Sequence, residues 1–87
     1  MAHRYGQPIQ MILAAGQPHT FEWRRVRYRI VEVLSTWRLR DRWWETAETA
    51  GGASDRQYYR VRCAGEQFFD VYYDAAVDVW ILDRAHD

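Results

Sequence analysis

The sequence predicts one all-β domain, residues 1–87, with about six short antiparallel strands in a meander. The sheet is expected to be strongly bent or to form a small, partly closed SH3-like barrel. Apolar and charged residues alternate with the period of two that is typical of strands. Turn-forming residues separate these segments about every ten residues. Aromatic residues make up 16% of the 87 residues, and their large rings supply the dense core that a short chain needs.

The first part of the chain predicts two strands and two turns. Residues 6–13 begin near a proline and alternate only partly, which favours an edge strand. Residues 14–18 contain Gly and Pro and predict a turn. Residues 20–23 form the next strand, and Arg24 with Arg25 then makes a tight reversal.

Residues 26–44 show the alternation most clearly. Val26, Tyr28 and Ile30 share one face, and arginines occupy the other. The apolar phase slips by one residue at Ile30–Val31, which predicts a β-bulge that bends the sheet. Beyond it, residues 35–44 continue as a strand on which arginines again alternate with apolar residues. The rings expected in the core are those of Tyr28, Trp37, Trp44, Tyr59 and Trp80.

The last part of the chain predicts three strands after a loop. Residues 45–55 are small and polar and predict a mobile loop. Strands at residues 57–63, 67–74 and 79–84 follow, joined by the short turns 64–66 and 75–78.

Composition predicts a cytoplasmic location. Cys63 is the only cysteine, so no disulfide can form within the chain, and this fits a reducing compartment. No signal peptide and no apolar stretch of about 20 residues is visible, so no membrane association is expected.

No constellation of catalytic or metal-binding residues emerges, so the protein is expected not to be an enzyme and to carry neither a metal nor a cofactor. His3, His19 and His86 are isolated, and no pair of ligands has the spacing of a zinc site. Cys63 lies in a strand with no histidine near it in sequence, which indicates a structural thiol rather than a nucleophile. The Gly51–Gly52 pair has no lysine and no following helix, unlike a phosphate-binding loop.

Charge is distributed unevenly along a chain whose net charge is zero. Residues 1–42 hold eight arginines against three acidic residues, whereas residues 43–87 hold four arginines against nine acidic residues. If neighbouring strands align their arginines, the resulting face could bind nucleic-acid phosphates. The candidate nucleic-acid-binding residues are Arg25, Arg27, Arg29, Arg38, Arg40, Arg42, Arg60 and Arg62. The alternative is that these arginines pair across strands with Glu22, Glu32, Glu66, Asp70 and Asp74.

Several motifs carry a family resemblance. They are Trp37-Arg38-Leu39-Arg40-Asp41-Arg42-Trp43-Trp44, Arg56-Gln57-Tyr58-Tyr59-Arg60-Val61, Phe69-Asp70-Val71-Tyr72-Tyr73-Asp74 and Trp80-Ile81-Leu82-Asp83-Arg84. Over nearly its whole length, the chain resembles an uncharacterised group of short actinobacterial-type proteins of a domain-of-unknown-function family. Residues 37–87 are also similar to the C-terminal segment of the Y-family-polymerase-like subunit of SOS mutagenesis cassettes. The resemblance implies a link to damage-tolerant DNA synthesis and transfers no catalytic residue.

These observations give a first hypothesis of a non-catalytic module that binds protein partners, within a mutagenesis or repair polymerase assembly. Surplus aromatic residues would serve as interface anchors. The alternative hypothesis is nucleic-acid binding through the arginine face. Edge strands also favour a homodimer.

Overall fold

The computed structural model describes residues 3–41 and 54–86. Six strands occupy most of both ranges: β1 (His3–Ala14), β2 (Gln17–Trp23), β3 (Val26–Asp41), β4 (Ser54–Cys63), β5 (Gln67–Asp74) and β6 (Val79–His86). The predicted all-β class with about six antiparallel strands is confirmed. In these two ranges no helix is long and apolar enough to cross a membrane.

Several predicted boundaries need correction. β1 begins at His3 rather than at residue 6, and β2 begins at Gln17, within the turn predicted at residues 14–18. Asp55 was predicted to lie in the loop of residues 45–55, but Ser54 and Asp55 begin β4, where Asp55 pairs with the backbone of Arg40. An antiparallel partner fixes these residues in a strand although their own composition favours a loop. The rest of that loop and Trp44 lie outside the described residues.

The strands form a closed barrel in chain order, because β1 pairs with β6 as well as with β2. Two strands change partners along their length. In β1, residues up to Ile9 pair with β6, and residues from Gln10 onward pair with β2. In β3, residues up to Arg29 pair with β2, and residues from Ile30 onward pair with β4. These two changes of partner bend the sheet into the barrel.

Two bulges interrupt the pairing of β3 with β4. The first leaves Val31 as an extra residue between Ile30 and Glu32, which confirms the bulge predicted at Ile30–Val31. The second leaves Leu34 as an extra residue between Val33 and Ser35. Each extra residue reverses the alternation of the side chains that follow, because successive side chains of a strand point to opposite faces.

The core fills the inside of the barrel with residues from all six strands. Phe21, Val61, Cys63, Val71 and Leu82 are completely buried. Tyr28 and Phe21 stack with their ring centroids 5.2 Å apart, and Phe69 meets both rings edge-on. At the other end of the barrel, Tyr59 and Trp80 pack against the same core. Tyr28, Tyr59 and Trp80 therefore lie on the core side, as predicted.

Trp37 differs from the prediction because it lies on the outer face of the sheet. It is opposite Tyr58 in the register, and the two rings stack with their centroids 5.2 Å apart. Tyr58 in turn contacts Tyr72 on β5. This row of rings is separate from the core cluster. The bulge at Leu34 explains the change: alternation continued from the first bulge would place Trp37 on the inner face, and the second bulge reverses it.

Candidate binding surfaces

Three of the predicted arginines are paired with carboxylates. Arg38 donates to both oxygens of Asp55, at 2.8 and 2.7 Å. Arg62 donates to Glu32 at 3.2 Å and to Glu66 at 3.5 Å. Hydrogen bonding to the carboxylate and its charge raise the pKa of Arg38. These ion pairs offset the positive charge that Arg38 and Arg62 would otherwise present to a polyanion.

The third pair is built around a buried carboxylate. Arg60 donates to both oxygens of Asp70, at 2.9 and 3.2 Å, and Nε2 of His86 lies 3.1 Å from Asp70 Oδ2. Asp70 is only 3% exposed. Burial would raise the pKa of Asp70, but the hydrogen bonds and positive charges of Arg60 and His86 outweigh burial and lower it. Arg60 is therefore a structural residue that satisfies a buried charge.

The described arginines do not share one face. Arg60 and Arg62 lie on the outer face of β4, beside Tyr58. Arg38 is opposite Gln57 in the register and so belongs to the other face. The second bulge of β3, at Leu34, causes this separation, because with the first bulge alone Arg38 would share the outer face with Arg60 and Arg62. Arg40 belongs to β3, but its side chain and all of Arg42 lie outside what the structure describes.

Arg25, Arg27 and Arg29 remain exposed around the turn between β2 and β3. Within residues 3–41 and 54–86, no ion pair involves these three side chains. Glu22 is opposite Arg27 in the register and is the acidic residue nearest to them along β2. With Arg24, which sequence reasoning did not include, the turn and the start of β3 carry four exposed arginines. The sequence feature that could have indicated Arg24 is its position next to Arg25 in the predicted reversal of the chain.

The Arg24–Arg25 turn has an unusual backbone. Both residues have left-handed angles, with φ of 54° and 65°, and they join the paired residues Trp23 and Val26. Two-residue hairpins of this shape normally use Asn-Gly, because a side chain in the left-handed region costs about 1–2 kcal/mol. The turn at Ala15–Gly16 and the turn at Gly65–Glu66 each include a glycine with positive φ. The arginine turn has none.

Aromatic rings hold the Arg24 side chain. Its guanidinium carbon lies 4.5 Å from the ring centroid of Trp23 and 5.0 Å from that of Tyr5. Tyr5 meets Trp23 edge-on at 4.8 Å, and Trp23 donates from its indole nitrogen to Gln7 at 2.9 Å. Gly6, with φ of +61°, lies in a bulge of the β1–β6 pairing. This bulge allows the chain to place Tyr5 against Trp23.

An open cleft adjoins this turn. It has a volume of about 390 Å³ and is lined by residues 8–10 of β1 and residues 22–25 of β2 and the turn. Ile9 and Trp23 are almost fully buried, so they form an apolar floor. Gln10, Glu22, Arg24 and Arg25 supply the polar groups. The cleft therefore combines an apolar floor with two guanidinium groups and one carboxylate.

A second surface is apolar and lies at the other end of the barrel. β3 leaves β2 after Arg29, so the start of β2 and the bulged part of β3 diverge. Two large apolar side chains near the tip of the β1–β2 hairpin and three on β3 flank the opening, each between 36% and 51% exposed. They are Ile12, Leu13, Val31, Val33 and Leu34. We call this set the apolar opening.

Comparison with known protein families identifies the family of the chain. The sequence model of a family described as "Domain of unknown function (DUF6504)" matches residues 1–87. The chain belongs to the DUF6504 family. The predicted membership of a domain-of-unknown-function family is thereby confirmed. No significant match was found among curated proteins or among solved structures.

The cysteine of this DUF6504 chain lies inside the barrel. Cys63 is completely buried, and burial raises its pKa to about 12. A thiol in this state is protonated at neutral pH and is a poor nucleophile. In the described part of the DUF6504 chain, no three His, Cys, Asp or Glu residues are grouped so that they could hold a metal ion.

Proposed function

We propose that this DUF6504 domain is a non-catalytic protein-interaction module that binds its partner through the apolar opening. The exposure of five large apolar side chains, two on β1 and three on the bulged part of β3, carries this proposal. Across β2, the register aligns Ile12 with Thr20 and Thr20 with Arg29. The tip of β1 and the start of the bulged segment are therefore about two strand spacings apart, roughly 10 Å. The two sets of side chains can thus contact one partner segment.

The backbone of β3 supports the same proposal. Beyond Arg29, no described strand pairs with the edge of β3 that faces away from β4. A partner strand could add its own hydrogen bonds to this edge while its apolar side chains cover Val33 and Leu34. An open edge combined with exposed apolar side chains is a common basis of recognition by strand addition.

In its more specific form, the proposal is that the partner belongs to a mutagenesis or repair polymerase assembly. This form also implies a cytoplasmic location. It rests on the resemblance of residues 37–87 to a subunit of such assemblies. A homodimer through the apolar opening is the other form. Sedimentation of the purified protein distinguishes them, because only self-association depends on the concentration of this chain alone.

The test is capture of partners from DNA-damaged cells, followed by binding of the purified candidate. Leu34→Ser should weaken that binding about tenfold or more, as expected for a buried interface anchor. Val26→Ser is the matched control, since Val26 is 48% exposed beside the Arg24–Arg25 turn, at the end of the barrel away from the opening. Equal binding by both variants would place the interface elsewhere and refute this proposal.

Nucleic-acid binding is the second candidate function, and the unpaired state of Arg25, Arg27 and Arg29 favours it. Fluorescence anisotropy with a single-stranded oligonucleotide at two salt concentrations tests it. Each phosphate contact on a single strand contributes about −0.7 to the slope of log K against log salt. The three arginines and Arg24 therefore predict a slope no steeper than about −3. No binding at low salt would exclude this candidate.

A further inference from the structure

We propose that the cleft beside the Arg24–Arg25 turn is a subsite for one nucleotide of a single-stranded nucleic acid. The two guanidinium groups would hold a phosphate, and the attached nucleoside would lie against the apolar floor. This inference rests on the second candidate function and specifies where the strand is held. The cleft volume of about 390 Å³ is at the lower end of the roughly 300–1,000 Å³ typical of small-molecule sites.

The backbone of the turn is the first argument. Arg25 adopts a left-handed conformation that glycine or asparagine would adopt at lower cost. Within the described ranges, the Arg25 side chain makes no hydrogen bond, ion pair or ring contact that would compensate for this cost. Backbone strain of this kind clusters at ligand-binding sites, and so it supports a ligand role for Arg25. The side chain of Arg25 is thus available to a ligand in the cleft.

The second argument is that Arg24 is already positioned. Its guanidinium group lies against the rings of Trp23 and Tyr5, and the hydrogen bond to Gln7 fixes the indole of Trp23. A group held in this way loses little conformational freedom when a phosphate binds, so more of the interaction contributes to affinity. Planar guanidinium groups also match phosphate oxygens in pairs.

The carboxylate of Glu22 is expected to discriminate between inorganic phosphate and a phosphate attached to a nucleoside. A carboxylate on the wall of the cleft repels a free phosphate, and two guanidinium groups outnumber it only by one charge. It can also accept hydrogen bonds from the hydroxyl or amino groups of a nucleoside. The arrangement therefore favours a phosphate that carries a nucleoside over inorganic phosphate.

The experiment is an NMR titration of the full chain with oligothymidylate, and separately with inorganic phosphate. We expect oligothymidylate to shift the Trp23 indole N–H signal and the Gln10 and Arg25 amide signals, with a much weaker response to inorganic phosphate. Arg25→Asn keeps the left-handed turn and should weaken oligothymidylate binding about tenfold. Arg38→Asn removes the same charge from the opposite end of the barrel and should change the affinity less than twofold.

Glu22→Gln provides a second test, because this variant is expected to gain phosphate binding, whereas Arg25→Asn is expected to lose oligothymidylate binding. Removing the carboxylate should strengthen the response to inorganic phosphate about two- to threefold. If oligothymidylate binds but the cleft signals stay unmoved and both arginine variants weaken binding equally, the subsite is wrong and nucleic-acid binding stands. If oligothymidylate does not bind at low salt, the subsite and the second candidate function both fail.

Discussion

At the scale of single residues, the left-handed backbone of Arg25 is expected to lower the stability of the fold. A left-handed arginine costs about 1–2 kcal/mol, and replacing it by glycine costs about 0.5–1 kcal/mol in chain entropy. We therefore expect Arg25→Gly to raise the free energy of unfolding by about 0.5–1 kcal/mol in urea titrations. Arg27→Gly, in a regular strand, should lower it by a similar amount. A loss of stability in both variants would show that the turn is not strained.

Asp70 is the residue at which burial and charge act against each other. Because the pKa of Asp70 is lowered in the folded state, its stabilising effect is present above its unfolded pKa of about 3.9 and is lost as pH falls through the lower folded value. Asp70→Asn should reduce the free energy of unfolding by about 1–3 kcal/mol at pH 7.

The difference between wild type and Asp70→Asn should shrink when urea unfolding is repeated near pH 3. Glu66→Gln is the matched control, because Glu66 is exposed and accepts a single 3.5 Å hydrogen bond from Arg62. Its effect should stay within about 0.5 kcal/mol at both pH values. A difference for Asp70→Asn that is as large at pH 3 as at pH 7 would contradict the role given to its charge.

At the scale of elements, the part of β3 beyond Arg29 differs from β4, because it is paired on one side only. β4 pairs with β3 on one side and β5 on the other, so we expect the amides of residues 58–61 all to exchange slowly with solvent. Along residues 35–39 of β3, every second N–H points away from β4 toward an edge that no described strand occupies. Hydrogen exchange followed by NMR should therefore alternate between slow and fast there. Uniformly slow exchange in the isolated monomer would contradict the open edge on which the proposed docking depends.

The same strand shows what the sequence could and could not predict. The slip at Ile30–Val31 predicted the first bulge, because two apolar residues in succession interrupt the alternation. The second bulge at Leu34 was missed, and with it the outward position of Trp37. Alternation alone does not say which of two adjacent apolar residues leaves the ladder, since that depends on the pairing with β4.

The arginines show how far the candidate site could be predicted from the sequence. Pairing with Glu32, Glu66 and Asp70 was among the alternatives that the sequence left open, and the structure contains these pairs. The partner of Arg38, Asp55, could not be predicted, because it lies in a segment whose composition favours a loop. Cross-strand neighbours follow from register, and register is a property of the assembled sheet rather than of one strand.

At the scale of the whole molecule, closure of the barrel through β1 and β6 encloses Cys63 completely. The unfolded thiol has a pKa of about 8.5, whereas in the folded state the value is about 12. Between these values the unfolded chain loses a proton that the folded chain keeps. Stability is therefore expected to fall as pH rises above about 8.5, by up to about 1.4 kcal/mol per pH unit.

Urea unfolding between pH 8 and pH 10 measures this effect. The range ends at pH 10 because tyrosines also begin to ionise there. Burial also raises the pKa of Tyr72 above the ordinary tyrosine value of about 10, so tyrosine ionisation in the unfolded chain adds to the loss of stability at higher pH. Cys63→Ala should be less stable throughout, because it leaves a cavity, but its stability should change much less over this range. Parallel pH profiles for wild type and Cys63→Ala would mean that the thiol ionises equally in both states, and hence that the barrel interior is open to solvent.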